Sequence, residues 1–213
     1  GLGRLAACFM DSMASLGYAA TGYSILYEFG IFRQKLVDGW QTELPDDWLP
    51  GGEVWLSARP DEQIEVRFDG TVSDYWDEQG YRHQNYTGYN SVMAVPHDLM
   101  MVGNEGKGVA VLRLWSAEAK DFDMKAFNNG DFMSAMQQSG MAEVISKVLY
   151  PSDNMPEGKS LRLRQQYFLV SASLQDIVKK HMAEGHPIDA LPEKVAIHIN
   201  DTHPALSIPE LMR

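Results

Sequence analysis

Val195-Ala196-Ile197-His198-Ile199-Asn200-Asp201-Thr202-His203-Pro204 alternates apolar residues and then turns abruptly polar. Val195, Ile197 and Ile199 at two-residue steps predict a short buried strand, and the polar run reads as its exit loop. Ser207, with Glu210 three residues on and Pro209 between, marks the start of a helix. Upstream, Leu163, Tyr167, Val170, Leu174, Ile177 and Val178 share one side of a predicted helix over 161–181. Helix, strand, polar loop and helix in that order make an α/β domain.

Outward from this stretch the pattern is mixed. From Asp131 the apolar spacing is helical, with a break expected at Ser139-Gly140 and an end at Pro151. Earlier residues are richer in strand signals. Ile64, Val66 and Phe68 alternate with Glu65 and Arg67, and Asp69-Gly70 then predicts a hairpin into a second strand over 71–76. Further strands are expected over 91–95 and 109–115, joined by the glycine-rich turn 103–108. Residues 38–61 read as loop, with Trp40, Trp48 and Trp55 as anchors beneath it. Leu5, Phe9, Met13 and Leu16 predict an opening helix over 4–16 stopped by Gly17, followed by an extended segment over 18–29. No repeat, low-complexity tract or interdomain linker divides residues 1–213.

The chain has 213 residues, with 18 Lys and Arg against 29 Asp and Glu, a net charge of -11. That charge argues against nucleic acid or an anionic membrane as partner, because both require a basic face. Uncharged stretches such as 165–175 are too short or too polar to span a bilayer. The single cysteine, Cys8, cannot close an internal disulfide, so no secreted, stapled fold is indicated and a cytoplasmic setting is expected. The first residue is Gly and no targeting segment precedes the first helix, so an internal start is expected.

Three segments carry chemistry when read from residues alone. Gly1-Leu2-Gly3-Arg4-Leu5-Ala6 fits G-x-G-x-x-A and enters a helix directly. Such a start lets ligand oxygens approach backbone N–H groups at the positive helix end. A plain structural turn fits equally, and a nicotinamide-dependent oxidoreductase would also need a preceding strand and an acid such as Glu28. The loop 150–158 could project Asp153 and Asn154 at sugar hydroxyls, or be a turn only. Asp201 and His203 stand where α/β sheets place ligands and could pair with hydroxyls or with Arg162; an Asx-turn with His203 packed on Pro204 is the alternative. His181, His186, His198 and His203 match no metal motif, and no metal site is expected.

In combination these segments resemble the α-glucan phosphorylases, the family of glycogen, starch and maltodextrin phosphorylases. The likeness runs in order through Gly1-Leu2-Gly3-Arg4-Leu5-Ala6-Ala7-Cys8-Phe9-Met10-Asp11-Ser12, Tyr27-Glu28-Phe29-Gly30-Ile31-Phe32 and Asp46-Asp47-Trp48. It continues with Arg113-Leu114-Trp115-Ser116-Ala117, Phe127-Asn128-Asn129-Gly130-Asp131-Phe132, Val148-Leu149-Tyr150-Pro151-Ser152-Asp153-Asn154 and Leu161-Arg162-Leu163. It closes on Asn200 to Leu211. The resemblance implies that residues 1–213 are an internal part of the Rossmann-like N-terminal domain of a GT-B-type glycosyltransferase fold, with an added β-rich subregion. It implies retaining phosphorolysis of α-1,4-glucans from the non-reducing end to α-glucose 1-phosphate, with pyridoxal 5′-phosphate attached outside this chain. α-Glucan and inorganic phosphate are then the partners, and family members are commonly homodimers.

By the same resemblance, the main-chain N–H groups of Gly1 and Leu2 lie beside the phosphates and the reacting glucosyl unit. Asn154 hydrogen-bonds the glucose ring, Asp153 helps close the cleft, and Asp201 and His203 with Arg162 line the neighbouring pocket. No residue here carries the proton relay, so the fragment alone is expected to be inactive. Three positions depart from the family pattern: 102–107 replaces a Gly-Tyr-Arg segment, Met155 stands in place of an aromatic, and Lys179-Lys180 in place of an arginine pair that binds a nucleotide phosphate. Lysine keeps charge but loses the bidentate fork. A non-catalytic glucan-binding module using Trp40, Trp48, Trp55 and Trp76 is the rival reading; saturable maltooligosaccharide binding by residues 1–213 alone would mark it.

Overall fold

A computed structural model describes the chain except for Gly1, Gly52, Tyr150, Asp153, residues 200–203 and Arg213. In chain order the elements are α1 (Leu2–Ser15), β1 (Thr21–Ile25), β2 (Arg33–Val37), β3 (Trp40–Leu44), β4 (Ser57–Ala58), β5 (Ile64–Phe68), β6 (Thr71–Trp76), β7 (Arg82–Thr87), β8 (Asn90–Val102) and β9 (Val109–Ala119). There follow α2 (Met124–Asn128), α3 (Phe132–Glu143), α4 (Pro156–Ala183), α5 (Leu191–Lys194) and α6 (Pro204–Met212). The α/β class expected from the pattern is what forms.

The central sheet is mixed. β1 runs parallel to β9, β9 pairs antiparallel with β8, and β4 and β5 share the other edge of β8. Side chains alternate across β9, and this alternation builds the two faces. Arg113, Trp115 and Ala117 are buried toward α4, where Ile25, Ile64, Val66, Ile145, Phe168 and Ala172 complete the main core. Ala110 faces the other way and packs with Met10 and Ala14 of α1. Glycine is required in the β8–β9 turn because α1 lies directly on it. A Cβ at Gly108 would stand 2.3 Å from the Ala14 carbonyl oxygen. Gly17, at φ +75°, ends α1 in the left-handed conformation that favours glycine.

Several local expectations give way to pairing that sequence patterns do not specify. Residues 195–199, entered through an extended Val195 after α5, join no ladder among the described residues, and Ile197 is 37% exposed. Alternation selects a face and leaves the partner strand open. Asp69-Gly70 does not fold β5 onto β6. β5 pairs with β8, while β6 and β7 form a separate hairpin inserted between them. All of β6 is exposed, so it has no buried face to bring to the sheet. Asp69 instead ties the base of this insertion to Asn90 at 3.0 Å and to Arg164 at 2.9 Å.

The stretch expected to be loop instead opens with a two-residue turn on Asp38 and Gly39, both at positive φ, and β3, which pairs back on β2 just upstream. Of the expected tryptophan anchors, only Trp48 acts as one, its indole N–H bonding the Tyr27 carbonyl at 2.9 Å. Trp40 and Trp55 are exposed, and the fully buried tryptophan is Trp115. Helix α3 passes through Ser139-Gly140 unbroken, started by Asp131, whose carboxylate accepts from the Ser134 N–H at 3.2 Å. Helix α6 begins at Pro204, earlier than Ser207, because proline at a first helical turn forfeits no bond; Ser207 is buried inside it and Pro209 is accommodated mid-helix.

Glu65 on β5 gives the sheet edge a pH dependence. Hydrogen bonds from Lys120, then Ser91 and Arg67, outweigh its burial and hold its carboxyl down at about 2, against an ordinary 4.5. Because the folded value is the lower one, the stabilisation is full above 4.5 and fades as pH falls toward 2. Glu65→Gln in the full-length protein is expected to flatten the acid limb of the melting midpoint plotted against pH. An acid limb identical to that of the parent would contradict the assignment.

Candidate functional site

The direction of two helices defines the site. Along α4, Ser173 meets the Trp115 indole N–H at 3.2 Å, and three residues later Asp176 meets Arg113 at 2.9 Å. Helix α4 therefore runs antiparallel to β9. Along α1, Ala14 abuts Gly108 while Met10 lies over Gly22 and Leu112, so α1 runs antiparallel as well, on the opposite face. Both helix N-termini thus lie toward the carboxyl end of the parallel strands β1 and β9. That is where α/β sheets take ligands, and each helix start contributes unpaired N–H groups and the positive end of its dipole. In a chain of net charge -11, these helix starts concentrate positive potential locally.

Leu2 opens α1 and is exposed. Asn154 is exposed in the bend just before α4, where Met155 is extended and Pro156 presets the first helical turn. Arg162 lies half-buried in the second turn of α4. Gly1, Asp153, Asp201 and His203 fall outside the described residues. The structure therefore brings the starts of α1 and α4, with Leu2, Asn154 and Arg162, to one end of the sheet, on its two faces.

The strut leading to Asn154 is fixed from below. Gln165 of α4 is buried, and its amide donates to the carbonyls of Ile145 at 3.0 Å and Val148 at 2.9 Å. The segment after β1 crosses the same strut, Glu28 N–H bonding Ser146 O at 2.9 Å and Phe29 N–H bonding Lys147 O at 3.0 Å. Gln165 was not singled out from the sequence: it lies on the Phe168, Ala172 and Asp176 side of α4, away from the stripe of Leu163, Tyr167, Val170 and Leu174, so that stripe carries no signal for it.

A buried charge centre holds α4 against the sheet. Arg113, 3% exposed, makes a bidentate pair with Asp98 at 2.8 Å through both contacts and reaches Asp176 and Glu62 at 2.9 and 2.6 Å. Asp176 also accepts from Tyr23 Oη and Lys180 Nζ, each at 2.7 Å. Burial pulls the guanidinium pKa down, but the surrounding carboxylates more than offset this and the net shift is upward. Burial, reinforced by Asp176, raises the Tyr23 hydroxyl, so its proton stays in the bond to Asp176. One member of the Lys179-Lys180 pair is thereby already engaged.

A hollow of about 530 Å³ lies elsewhere, with Leu26, Leu56, His97, Ser116 and Glu118 among its lining. None of the described candidate residues, Leu2, Asn154 and Arg162, lines it, and the helix-end geometry is the better guide to them. His181 is buried with Nε2 2.7 Å from the Pro187 carbonyl oxygen, its ring beside that of His186, a satisfied core position.

The profile of the carbohydrate phosphorylases matches residues 1–213, the whole chain. The chain belongs to the carbohydrate phosphorylase family. This phosphorylase chain is 50% identical over 222 aligned residues to the brain form of glycogen phosphorylase from Rattus norvegicus, the liver form from Homo sapiens and the muscle form from Mus musculus. Each match covers 100% of this chain and 26% of the relative, so the chain spans about a quarter of the length of the curated relatives it matches. The nicotinamide and non-catalytic readings gain nothing from these matches. The phosphorylase motif Arg113-Leu114-Trp115-Ser116-Ala117 now has a physical content: it is the strand that carries the buried charge centre and the core tryptophan.

Proposed function

We propose that the full-length protein phosphorolyses α-1,4-glucans from their non-reducing ends, releasing α-glucose 1-phosphate with retention, and that residues 1–213 form the sugar-binding wall of its cleft. The observation that carries this reading is the shared direction of α1 and α4, whose N-termini both lie toward the carboxyl end of β1 and β9, in a phosphorylase chain. In the reaction, phosphate oxygen takes the anomeric carbon and the glucan oxygen leaves with a proton, so one glucose unit is transferred and the chain shortens by one. The N–H groups at Gly1 and Leu2 hold phosphate oxygens against the glucosyl unit, and the α4 dipole with Arg162 adds positive potential. Asn154 orients ring hydroxyls as the anomeric carbon becomes cation-like. Asp153 shapes the cleft, and Asp201 and His203 complete the neighbouring pocket.

Pyridoxal 5′-phosphate, which the resemblance implies, has no fitting attachment point here. Every lysine of the chain lies at least partly at the surface. Lys120 and Lys147 are held protonated above the ordinary lysine value by the hydrogen bonds they donate to Glu65 and Glu28, whereas a Schiff-base lysine must give up its proton. The cofactor is assigned outside residues 1–213, and the fragment alone is inactive. No helix of the described residues is long and apolar enough to cross a membrane; a cytoplasmic homodimer is proposed for the whole protein. The test is phosphate-dependent release of glucose 1-phosphate by the full-length protein, before and after stripping pyridoxal phosphate. Release that disappears on stripping supports the reading, and a full-length protein that releases none overturns it.

A further inference from the structure

The carbonyl oxygens at a helix end have no partner along their own helix, so their acceptors' partners decide what that end is attached to. The helical run of α3 closes in a tight turn over Val144–Ser146, and the carbonyls from Ile145 to Val148 all go to other elements. Ser146 and Lys147 accept from the main-chain N–H groups of Glu28 and Phe29, at 2.9 and 3.0 Å. Ile145 and Val148 both accept from one nitrogen, Gln165 Nε2, at 3.0 and 2.9 Å. Ser146 Oγ adds a bond from the Ala117 N–H of β9 at 3.0 Å.

A primary amide suits this place. Its nitrogen carries two N–H donors in fixed directions and no charge, so it satisfies two carbonyls without bringing an ion into the interior. Gln165 is 5% exposed, and any further chain packed on this region can only bury it more. Glutamate here would turn acceptor oxygens on acceptor carbonyls, and methionine would leave both carbonyls without this donor. Gln165 is also the first buried polar residue along α4. Ser173 and Asp176, which pin the helix to β9, lie two turns or more beyond it.

Asn154 stands two residues before α4, and the chain reaches it from Val148. Gln165 therefore joins both supports of Asn154, the helix that follows it and the segment that leads to it. We propose that Gln165 is a positioning residue for sugar binding: its amide, shared between the Ile145 and Val148 carbonyls, locks the start of α4 to the incoming segment and so holds Asn154 in place for the glucose ring. The inference rests on the reading that Asn154 contacts that ring. Gln165 touches no substrate.

The experiment is a double-mutant cycle in the full-length protein. It reads kcat/KM for phosphorolysis of a linear α-1,4-glucan, and the melting midpoint, in Gln165→Met, Asn154→Ala and the pair. Gln165→Met keeps the length of the side chain and removes both donors. It is expected to lower kcat/KM about tenfold in the parent and less than about twofold in Asn154→Ala, where nothing is left to position. Gln165→Asn, the milder change should Gln165→Met not fold, is expected to lower kcat/KM less, again only while Asn154 is present. Phe168→Leu, one turn further on the same buried side, weakens packing without touching either carbonyl. It is expected to lower the melting midpoint and to change kcat/KM less than about twofold in both backgrounds.

An equal loss from Gln165→Met in both backgrounds, an unchanged kcat/KM in the parent, or a Phe168→Leu loss that likewise vanishes with Asn154 would each overturn the positioning role. Asn154→Ala separates the two levels. If it alone leaves kcat/KM unchanged, the sugar-contact reading fails and the inference with it. If it lowers kcat/KM while Gln165→Met acts equally in both backgrounds, only the positioning role fails.

Discussion

Asn154→Ala in the full-length protein is expected to lower kcat/KM for phosphorolysis about 100-fold, ~2.7 kcal/mol of transition-state stabilisation. The reasoning is one of differential binding. A hydrogen bond to a ring hydroxyl that strengthens as the anomeric carbon gains positive charge contributes to the transition state more than to the ground state. Asn154 is exposed at the end of a supported strut, so its truncation disturbs no packing, and the melting midpoint is expected to stay within about 1 °C of the parent. Loss of rate without loss of stability distinguishes a substrate contact from a turn residue. A kcat/KM within about threefold of the parent would return the segment 150–155 to its plain role as a connection.

Arg113→Leu is expected to destabilise the protein by about 3–5 kcal/mol, read as a shift of the urea midpoint for the unit containing residues 1–213. The side chain is buried, and so are Asp98 and Asp176, each 3% exposed. Removing the guanidinium leaves two carboxylates in a low-dielectric interior with one acidic neighbour, Glu62, nearby. Lys180 and Tyr23 remain to satisfy Asp176, whereas Asp98 loses a bidentate partner. Arg113→Lys restores charge without the fork and is expected to recover only part of the loss. Because this cluster ties α4 to β8 and β9, the variant is also expected to loosen the end of α4 that carries Asn154. A shift below about 1 kcal/mol would show that the cluster is not what holds α4.

These expectations draw on different layers of the chain. What repeats locally was legible. The spacing of Leu5, Phe9 and Met13 announced α1, the stripe from Leu163 to Val178 announced α4, and the alternation of Ile64, Val66 and Phe68 announced β5 with its buried face. Pairing was not legible where it depends on partners. The turn at Asp69-Gly70 has hairpin chemistry, yet β5 joins β8 because only β8 offers a buried face at that edge. The stretch 195–199 has the alternation of a strand but no ladder among the described residues. The charge centre shows the same limit more sharply. Arg113 meets Asp98 and Asp176 across 15 and 63 positions, and no periodicity links residues at such separations.

The candidate site residues have a different source. Leu2, Asn154 and Arg162 were named because their segments resemble one family, and the structure supplies what resemblance lacks: both helices that carry them run antiparallel to β9 and start at the same end of the sheet. Gln165, which braces α4, lies off the apolar stripe read from the sequence, and its meaning appears only when the Ile145 and Val148 carbonyls it meets are in place.

The central claim is that the carboxyl end of β1 and β9, between the starts of α1 and α4, is the sugar-phosphate wall of the cleft. It is tested most directly by a crystal structure of the full-length protein with α-glucose 1-phosphate. The account predicts the glucose ring within hydrogen-bonding distance of the Asn154 amide and the phosphate facing the N–H groups at the start of α1. A ligand seated away from both, for example in the hollow beside His97 and Ser116, would contradict it.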